Sequence, residues 1–198
     1  MEYKILSYLL FYPNEEYLAN LPSFLREVGE LKIDVEIKEN VITFVNKLKE
    51  QDGYDAMSTY VSYFDNNPSL SLYLFDHIMG ESKERGQALI DLKELYKEYN
   101  FEINSSQLPD YLPLFLEFLS AIDEPKAKEL CLEAFDVINT LYLRHEKINS
   151  IYAGIFKSLI IKMGKQVEQK EVSVLSEKEI DELWKEAEVT FANKNNAG

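Results

Sequence analysis

The spacing of apolar residues constrains this chain more than any other feature, because nearly everywhere they recur three and four positions apart. Leu6, Leu9 and Leu10 open the pattern, Val41, Phe44, Val45 and Leu48 repeat it, and Leu89, Leu92, Leu95, Tyr96 and Tyr99 extend it. Such spacing lays one apolar stripe along an α-helix. Period-two alternation, the mark of a half-buried strand, occurs only briefly around residues 33–37. Seven glycines and six prolines among 198 residues are too few to turn the many short strands of a sandwich or barrel. The expectation is an all-α, single-domain bundle of about nine helices. They fall at roughly 2–12, 14–28, 36–50, 54–64, 68–79, 82–99, 110–122, 124–144 and 148–166.

Boundary chemistry supports several of these. Asn67 before Pro68 and Asp123 shortly before Pro125 each pair a capping side chain with a proline suited to a first helical turn. Asp110 is placed to cap a helix carrying Pro113 in its first turn, and Gly80 stands where a helix is expected to stop. The helical domain is expected over 1–167. From Glu168 onward acids outnumber bases, and residues 168–198 read as an acidic, loosely attached tail. Within it Ser176 and Glu179 form a capping box ahead of Ile180, Leu183 and Trp184, a short amphipathic helix. The terminal NKNNAG is expected to be disordered.

Charge limits the partners. With 35 acidic against 21 basic residues the formal net charge is −14, which opposes binding to nucleic acid or to an anionic bilayer. A basic partner is the natural complement. The segment MEYKILSYLLFYP lacks the charge pattern and cleavage site of a signal peptide. The most apolar stretch, Ile151–Met163, is interrupted by Lys157 and Lys162 and falls short of the roughly 20 apolar residues of a membrane span. A cytoplasmic protein without a membrane span is expected.

Catalytic constellations fail one by one. His77 and His145 are the only histidines, on separate predicted helices, and neither has a second histidine at ligand spacing. Ser82 lacks a nucleophile elbow. MGESKERGQAL has two glycines six apart but no lysine and hydroxyl after Gly86, so it is no phosphate loop. Cys131 is the sole cysteine and reads as a core residue. Metal and enzyme readings are therefore set aside.

Aromatic content is what remains unusual, with thirteen tyrosines and eleven phenylalanines. They cluster in YVSYF (60–64), LYLF (72–75) and LPDYLPLFLEFLS (108–120), interleaved with carboxylates. Most belong to an aromatic core. The remainder suit a groove with an apolar floor and acidic rim that takes an amphipathic basic peptide. Tyr60, Phe64, Tyr111 and Phe115 are the expected lining, with Asp110 and Glu117 at the edge.

At these residues the sequence resembles a known family. FDHIMGESKERGQALIDLKELY (75–96) followed by LPDYLPLFLEFLS closely resembles the delta-subunit type assembly chaperones of respiratory nitrate reductase, a branch of the redox-enzyme maturation chaperones. The resemblance implies an all-helical cytoplasmic chaperone that binds the N-terminal segment of the apo catalytic subunit, a remnant of a twin-arginine leader. It implies support for molybdenum cofactor insertion before membrane docking, with the cofactor delivered to the client and none bound stably by the chaperone. Proteins of molybdenum cofactor biosynthesis are the further partners it suggests. Carried over residue by residue, the motif falls on Asp110, Pro113 and Leu116, and the preceding signature on His77, Gly80, Glu81, Arg85 and Gly86. Phe75, His77, Arg85 and Pro113 thereby join Tyr60, Phe64, Asp110, Tyr111, Phe115 and Glu117 as expected peptide-site residues. Many relatives have histidine where this chain has Tyr111, and a tyrosine does not titrate near neutrality. A non-catalytic adaptor for another amphipathic peptide would need the same groove, and a small hydrolase acting through Asp110 or His77 would instead show turnover.

Overall fold

The computed structural model describes residues 1–79, 82–103, 106–183 and 185. Among the described residues up to Lys162 nine α-helices carry the fold: α1 (Glu2–Leu9), α2 (Glu15–Glu30), α3 (Val35–Lys49), α4 (Gly53–Tyr60), α5 (Lys83–Glu98), α6 (Leu112–Ala121), α7 (Glu124–Glu133), α8 (Phe135–Lys147) and α9 (Ala153–Lys162). The all-α expectation holds. The positions named at Gly80, Glu81, Trp184 and the terminal NKNNAG lie outside the described residues.

The centre is α6, whose LPLFLEFLSA sequence is apolar nearly all round; Leu112, Leu114, Phe115, Leu116, Phe118 and Leu119 are all buried. A helix without a polar face must be covered on every side. α1 lies along it, burying Tyr3, Ile5, Leu6 and Leu9, and the Ser7 hydroxyl donates to the Pro113 carbonyl at 2.7 Å. α7 flanks it, while α8 and α9 pair beside α3 and extend one continuous core through Phe44, Leu141, Tyr152 and Phe156. Lys162, which breaks the apolar run of α9, is held by Glu2 at 2.8 Å and Glu124 at 2.5 Å, joining three helices. Cys131 is fully buried, as expected.

Two predicted helices are not single helices. Residues 68–79 form two short 3-10 turns, Pro68–Leu70 and Leu74–His77, around an isolated antiparallel bridge between Tyr73 and Tyr111. The reason is competition for backbone groups: Leu112 N–H donates to the Leu72 carbonyl (2.8 Å) and Leu74 N–H to the Asp110 carbonyl (3.0 Å). The Ser71 hydroxyl also accepts from Tyr73 N–H, a local bond of the kind that diverts a chain from helix. Asn67 caps the first turn through Ser69 N–H, yet that helix ends after three residues. The predicted helix 124–144 breaks at Ala134 (φ −88°, ψ 5°). The break lets α7 follow α6 while α8 turns onto α9. Asp123 caps α7 through Lys126 N–H as expected.

After α4 the chain makes a π turn, Val61–Asp65, an i→i+5 winding that is rare in helices. It keeps Tyr60 and Phe64 together inside, with ring centroids 4.8 Å apart. Beyond α9 the chain runs without regular structure to a final helical stretch at 177–183. Asn139 exchanges both amide hydrogen bonds with the Glu168 backbone, Lys147 donates to Val172, and Leu175 N–H meets the Ser69 hydroxyl. This connection is thus held more closely than a free tether. The Ser176–Glu179 capping box forms, the carboxylate accepting from Ser176 N–H at 2.8 Å.

Candidate functional site

The ten expected site residues separate: Tyr60, Phe64, Tyr111 and Glu117 meet in one place, Phe75, His77, Arg85 and Phe115 lie apart from it, and Asp110 and Pro113 are buried at the entry to α6. The first group belongs to a groove. Its floor is built where the end of α1, the π turn and the start of α6 converge. Tyr60, Phe64, Tyr73 and Tyr111 line one hollow with Tyr12 and Asp65, and Tyr111 continues into a second of about 230 Å³ lined by Phe11, Leu114, Glu102 and Glu117. Phe11 and Tyr12 are exposed and lie on the buried rings, Tyr12 edge-on to Tyr60 at 5.5 Å and Phe11 6.4 Å from Tyr111. Asp65, Glu102 and Glu117 are exposed around this floor.

The hydroxyls of the floor are already engaged within the protein. Tyr60 donates to the Leu10 carbonyl at 3.0 Å, which uses its only hydrogen, so across the 2.9 Å contact Tyr111 donates to Tyr60. Tyr73 donates to Gln107. Burial pushes the Tyr111 hydroxyl up to about 12 and keeps it neutral. What the groove offers outward is therefore ring surface and carboxylate, the combination that suits apolar anchors flanked by cations.

Asp110 departs from the expected placement. It is fully buried and caps no part of α6, whose N-cap is Tyr111 without a side-chain bond. Its Oδ2 instead accepts from Phe75 N–H at 3.0 Å, fixing the 3-10 turn to the start of α6. Oδ1 has no hydrogen-bond partner among the described residues. Burial raises its pKa, opposed by the Phe75 bond and the charge of Arg85. Asp110 is thus a brace under the groove, because the chain that enters α6 runs inside the molecule before reaching the surface. Pro113 occupies the first turn of α6, as expected, and is buried under α1 through its carbonyl.

The second group lies behind that brace. Arg85 pairs with Asp76 at 2.7 Å, and Asp76 accepts from the Ser71 hydroxyl at 2.6 Å. His77 Nε2 faces the Ser71 carbonyl at 2.8 Å; a carbonyl only accepts, so this nitrogen carries the proton. Nδ1 is then free to accept from Arg144 Nη1, 3.3 Å away. Burial lowers the His77 pKa, and the Arg144 charge lowers it further. Phe75 and Phe115 meet instead in an apolar slot of about 190 Å³ with Leu92, Leu95 and Leu130 under α5.

Sequence reasoning missed Phe11, Tyr12, Asp65, Tyr73 and Glu102. Phe11 and Tyr12 carried a usable signal, two aromatics following a helix whose apolar stripe ends at Leu10. A cavity of about 670 Å³ opens beside the groove between the end of α5, residues 100–103 and residues 107–109. Its walls carry Lys93 and Lys97, which repel a basic peptide. No group of three or more metal-ligating side chains occurs among the described residues, and no helix there is long and apolar enough to cross a membrane.

Comparison with known proteins places this arrangement. The family model "Nitrate reductase delta subunit" matches residues 30–152, which span the π turn, the paired backbone segments and α5 to α8. The nitrate reductase molybdenum cofactor assembly chaperone NarJ of Escherichia coli (strain K12) is 30% identical over 200 residues, covering 96% of this chain and 85% of that protein. The NarJ protein of Bacillus subtilis (strain 168) is 32% identical over 161 residues, 80% of this chain and 85% of its own. A nitrate reductase-like protein NarX of Mycobacterium tuberculosis (strain ATCC 25618 / H37Rv) matches at 28% over 131 residues, 66% of this chain but 19% of that protein. The NarJ relatives are named as assembly chaperones rather than enzymes, in agreement with the non-catalytic reading of the residues. By family model and by identity along nearly its whole length, the chain belongs to the nitrate reductase delta subunit family of assembly chaperones.

Proposed function

We propose that this protein is a cytoplasmic chaperone that binds the N-terminal segment of the apo catalytic subunit of nitrate reductase and supports molybdenum cofactor insertion before the client docks at the membrane. The observation that carries the reading is the groove itself, an aromatic floor from Phe11 to Tyr111 rimmed by Asp65, Glu102 and Glu117. An amphipathic helix with basic and apolar faces fits it, its apolar residues on the rings and its cations at the carboxylates. Rim charges set approach rate and selectivity, while the aromatic floor supplies most of the affinity. The complex must persist until the cofactor is inserted and then end, so a Kd from nanomolar to micromolar, roughly −12 to −8 kcal/mol, is expected. Release follows when the loaded catalytic subunit folds its own N-terminus away. The cofactor passes to the client and is not retained, and proteins that make the cofactor are the second class of partner.

The test is calorimetric titration with a peptide copying the first few tens of residues of the catalytic subunit from the same organism. Saturable binding that weakens with salt is the expected result. Tyr12→Ala, which removes an exposed ring, is expected to weaken binding by about tenfold and to change stability by less than about 0.5 kcal/mol. Binding that is absent under all salt conditions, or unaffected by Tyr12→Ala, overturns the assignment of this groove.

A further inference from the structure

Phe75 and Phe115 wall an apolar slot of about 190 Å³ under α5, with Leu92, Leu95, Leu130 and Val137 on its other sides. A cavity of about 150 Å³ with such a lining is large enough to admit a benzene ring. Ile78 also lines the slot and is 59% exposed, so the slot opens to solvent there.

The connection that follows α9 ends beside that opening. Leu175 is pinned on both sides, its N–H donating to the Ser69 hydroxyl at 3.2 Å and its carbonyl accepting from Asn67 Nδ2 at 3.1 Å. It lines a shallow cavity together with Ile78, Glu133 and Val137, and the same three residues line the slot. The Ser176–Glu179 capping box then starts the helical stretch 177–183. Among the described residues beyond α9, Val172 is the last apolar side chain packed against the core, and Leu183 is 47% exposed.

In sequence Ile180, Leu183, Trp184 and Ala187 fall at i, i+3, i+4 and i+7, a single apolar stripe. Trp184 is the only tryptophan, and a helical run from Leu175 carries it about 13 Å, the span of the neighbouring cavity. Lys178, Glu182 and Lys185 fall on the opposite face and stay in water. Glu133 at the rim of the slot adds no attraction for an acidic segment, so burial of the ring is what holds it.

We propose that the C-terminal helix docks on its own bundle, setting the Trp184 ring in this slot and Leu183 against Ile78. The docked ring backs Phe75, whose N–H Asp110 holds, and ties α5 to α7 and α8 through Leu92, Leu130 and Val137. The surface is separate from the peptide groove, and its test does not depend on that assignment. The full chain is followed by tryptophan fluorescence, which Trp184 alone supplies.

The parent emission is expected to be blue-shifted from that of N-acetyltryptophanamide and shielded from acrylamide. Ile78→Glu sets a charge at the opening without removing a buried side chain, and Leu183→Glu changes only the tail. Each is expected to move the emission to that of the free indole compound. A nitroxide attached to Glu133→Cys, an exposed position on the rim, is expected to quench the parent emission, while the buried Cys131 stays unlabelled. Parent emission that already matches the free compound overturns the proposal. So does a blue shift that both charged variants leave intact, or a nitroxide without effect, since either places the ring elsewhere. A blue shift lost on dilution also overturns it, giving the slot to the tail of a second copy.

Discussion

The groove and the polar cluster of Ser71, His77 and Arg144 behind it share one short segment, residues 67–77, yet they satisfy their polar groups in different ways. On the groove side Tyr60, Tyr73 and Tyr111 spend their hydroxyls on one another, on the Leu10 carbonyl and on Gln107. That side presents ring surface and a spread of rim charge, the combination on which the proposed peptide binding rests. On the other side the Arg144 guanidinium donates through Nη1 to the Ser69 carbonyl and faces His77 Nδ1, while its buried Nε has no hydrogen-bond partner among the described residues. Asp110 stands between them, holding Phe75 N–H on one flank while its backbone pairs with Leu74.

If the groove floor is the outer wall of the core rather than a loose lining, removing a ring beneath it must cost global stability. Phe64 touches Tyr60, Tyr152 and His145, and Phe64→Ala is expected to cost about 3–5 kcal/mol. Urea unfolding measures this directly, and a loss near zero would break the distinction between floor and core. The junction gives the next effect. Asp110→Ala leaves the buried Phe75 N–H without its acceptor, at a cost of about 1–3 kcal/mol. Asp110→Asn keeps an oxygen there and relieves the burial of a charge, so it is expected to stay close to the parent protein. Equal losses for the two variants would show that charge, not the hydrogen bond, holds the segment.

The third effect is a pH dependence seated under the groove. His145 is fully buried, stacked on Phe156 at 4.8 Å with no hydrogen-bond partner at either ring nitrogen among the described residues. Burial depresses its pKa to about 3. The unfolded chain, with an ordinary histidine near 6.5, takes up a proton that the folded chain refuses. Stability is therefore fully present above about 6.5 and falls as the pH drops toward 3, by up to about 1.4 kcal/mol per pH unit. His145→Leu is expected to flatten that slope in pH-dependent denaturation. An unchanged slope would place the acid sensitivity elsewhere, with His77, whose pKa burial also lowers, as the next residue to replace.

Much of the fold is legible in the sequence because amphipathic spacing and caps are local. Asp123 and the Ser176–Glu179 pair cap where their positions require, and the crowded apolar run at 112–119 becomes the central helix. The chaperone family was legible in two long motifs, which the family model and the relatives support. The site was legible only in part. Tyr60, Phe64, Tyr111 and Glu117 do gather at the groove, but Phe75, His77 and Arg85 face the other side of the brace. Asp110 lies within the fold because its partner, Phe75 N–H, is 35 residues away in the chain, a separation no spacing rule registers.

The sequence by itself determined that this chain forms helices, where many of them start, which residues are apolar enough to be interior, and to which family it belongs. Those follow from periodicity, capping chemistry and motif order, all readable within one turn or one motif. The tertiary structure decided that residues 68–77 give up a continuous α-helix to pair with 110–112, that an acid expected at a rim becomes an internal brace, and that Arg144 has no carboxylate partner among the described residues. Each depends on which backbone groups and charges meet across long stretches of chain, because hydrogen bonding and burial are settled by neighbours in space.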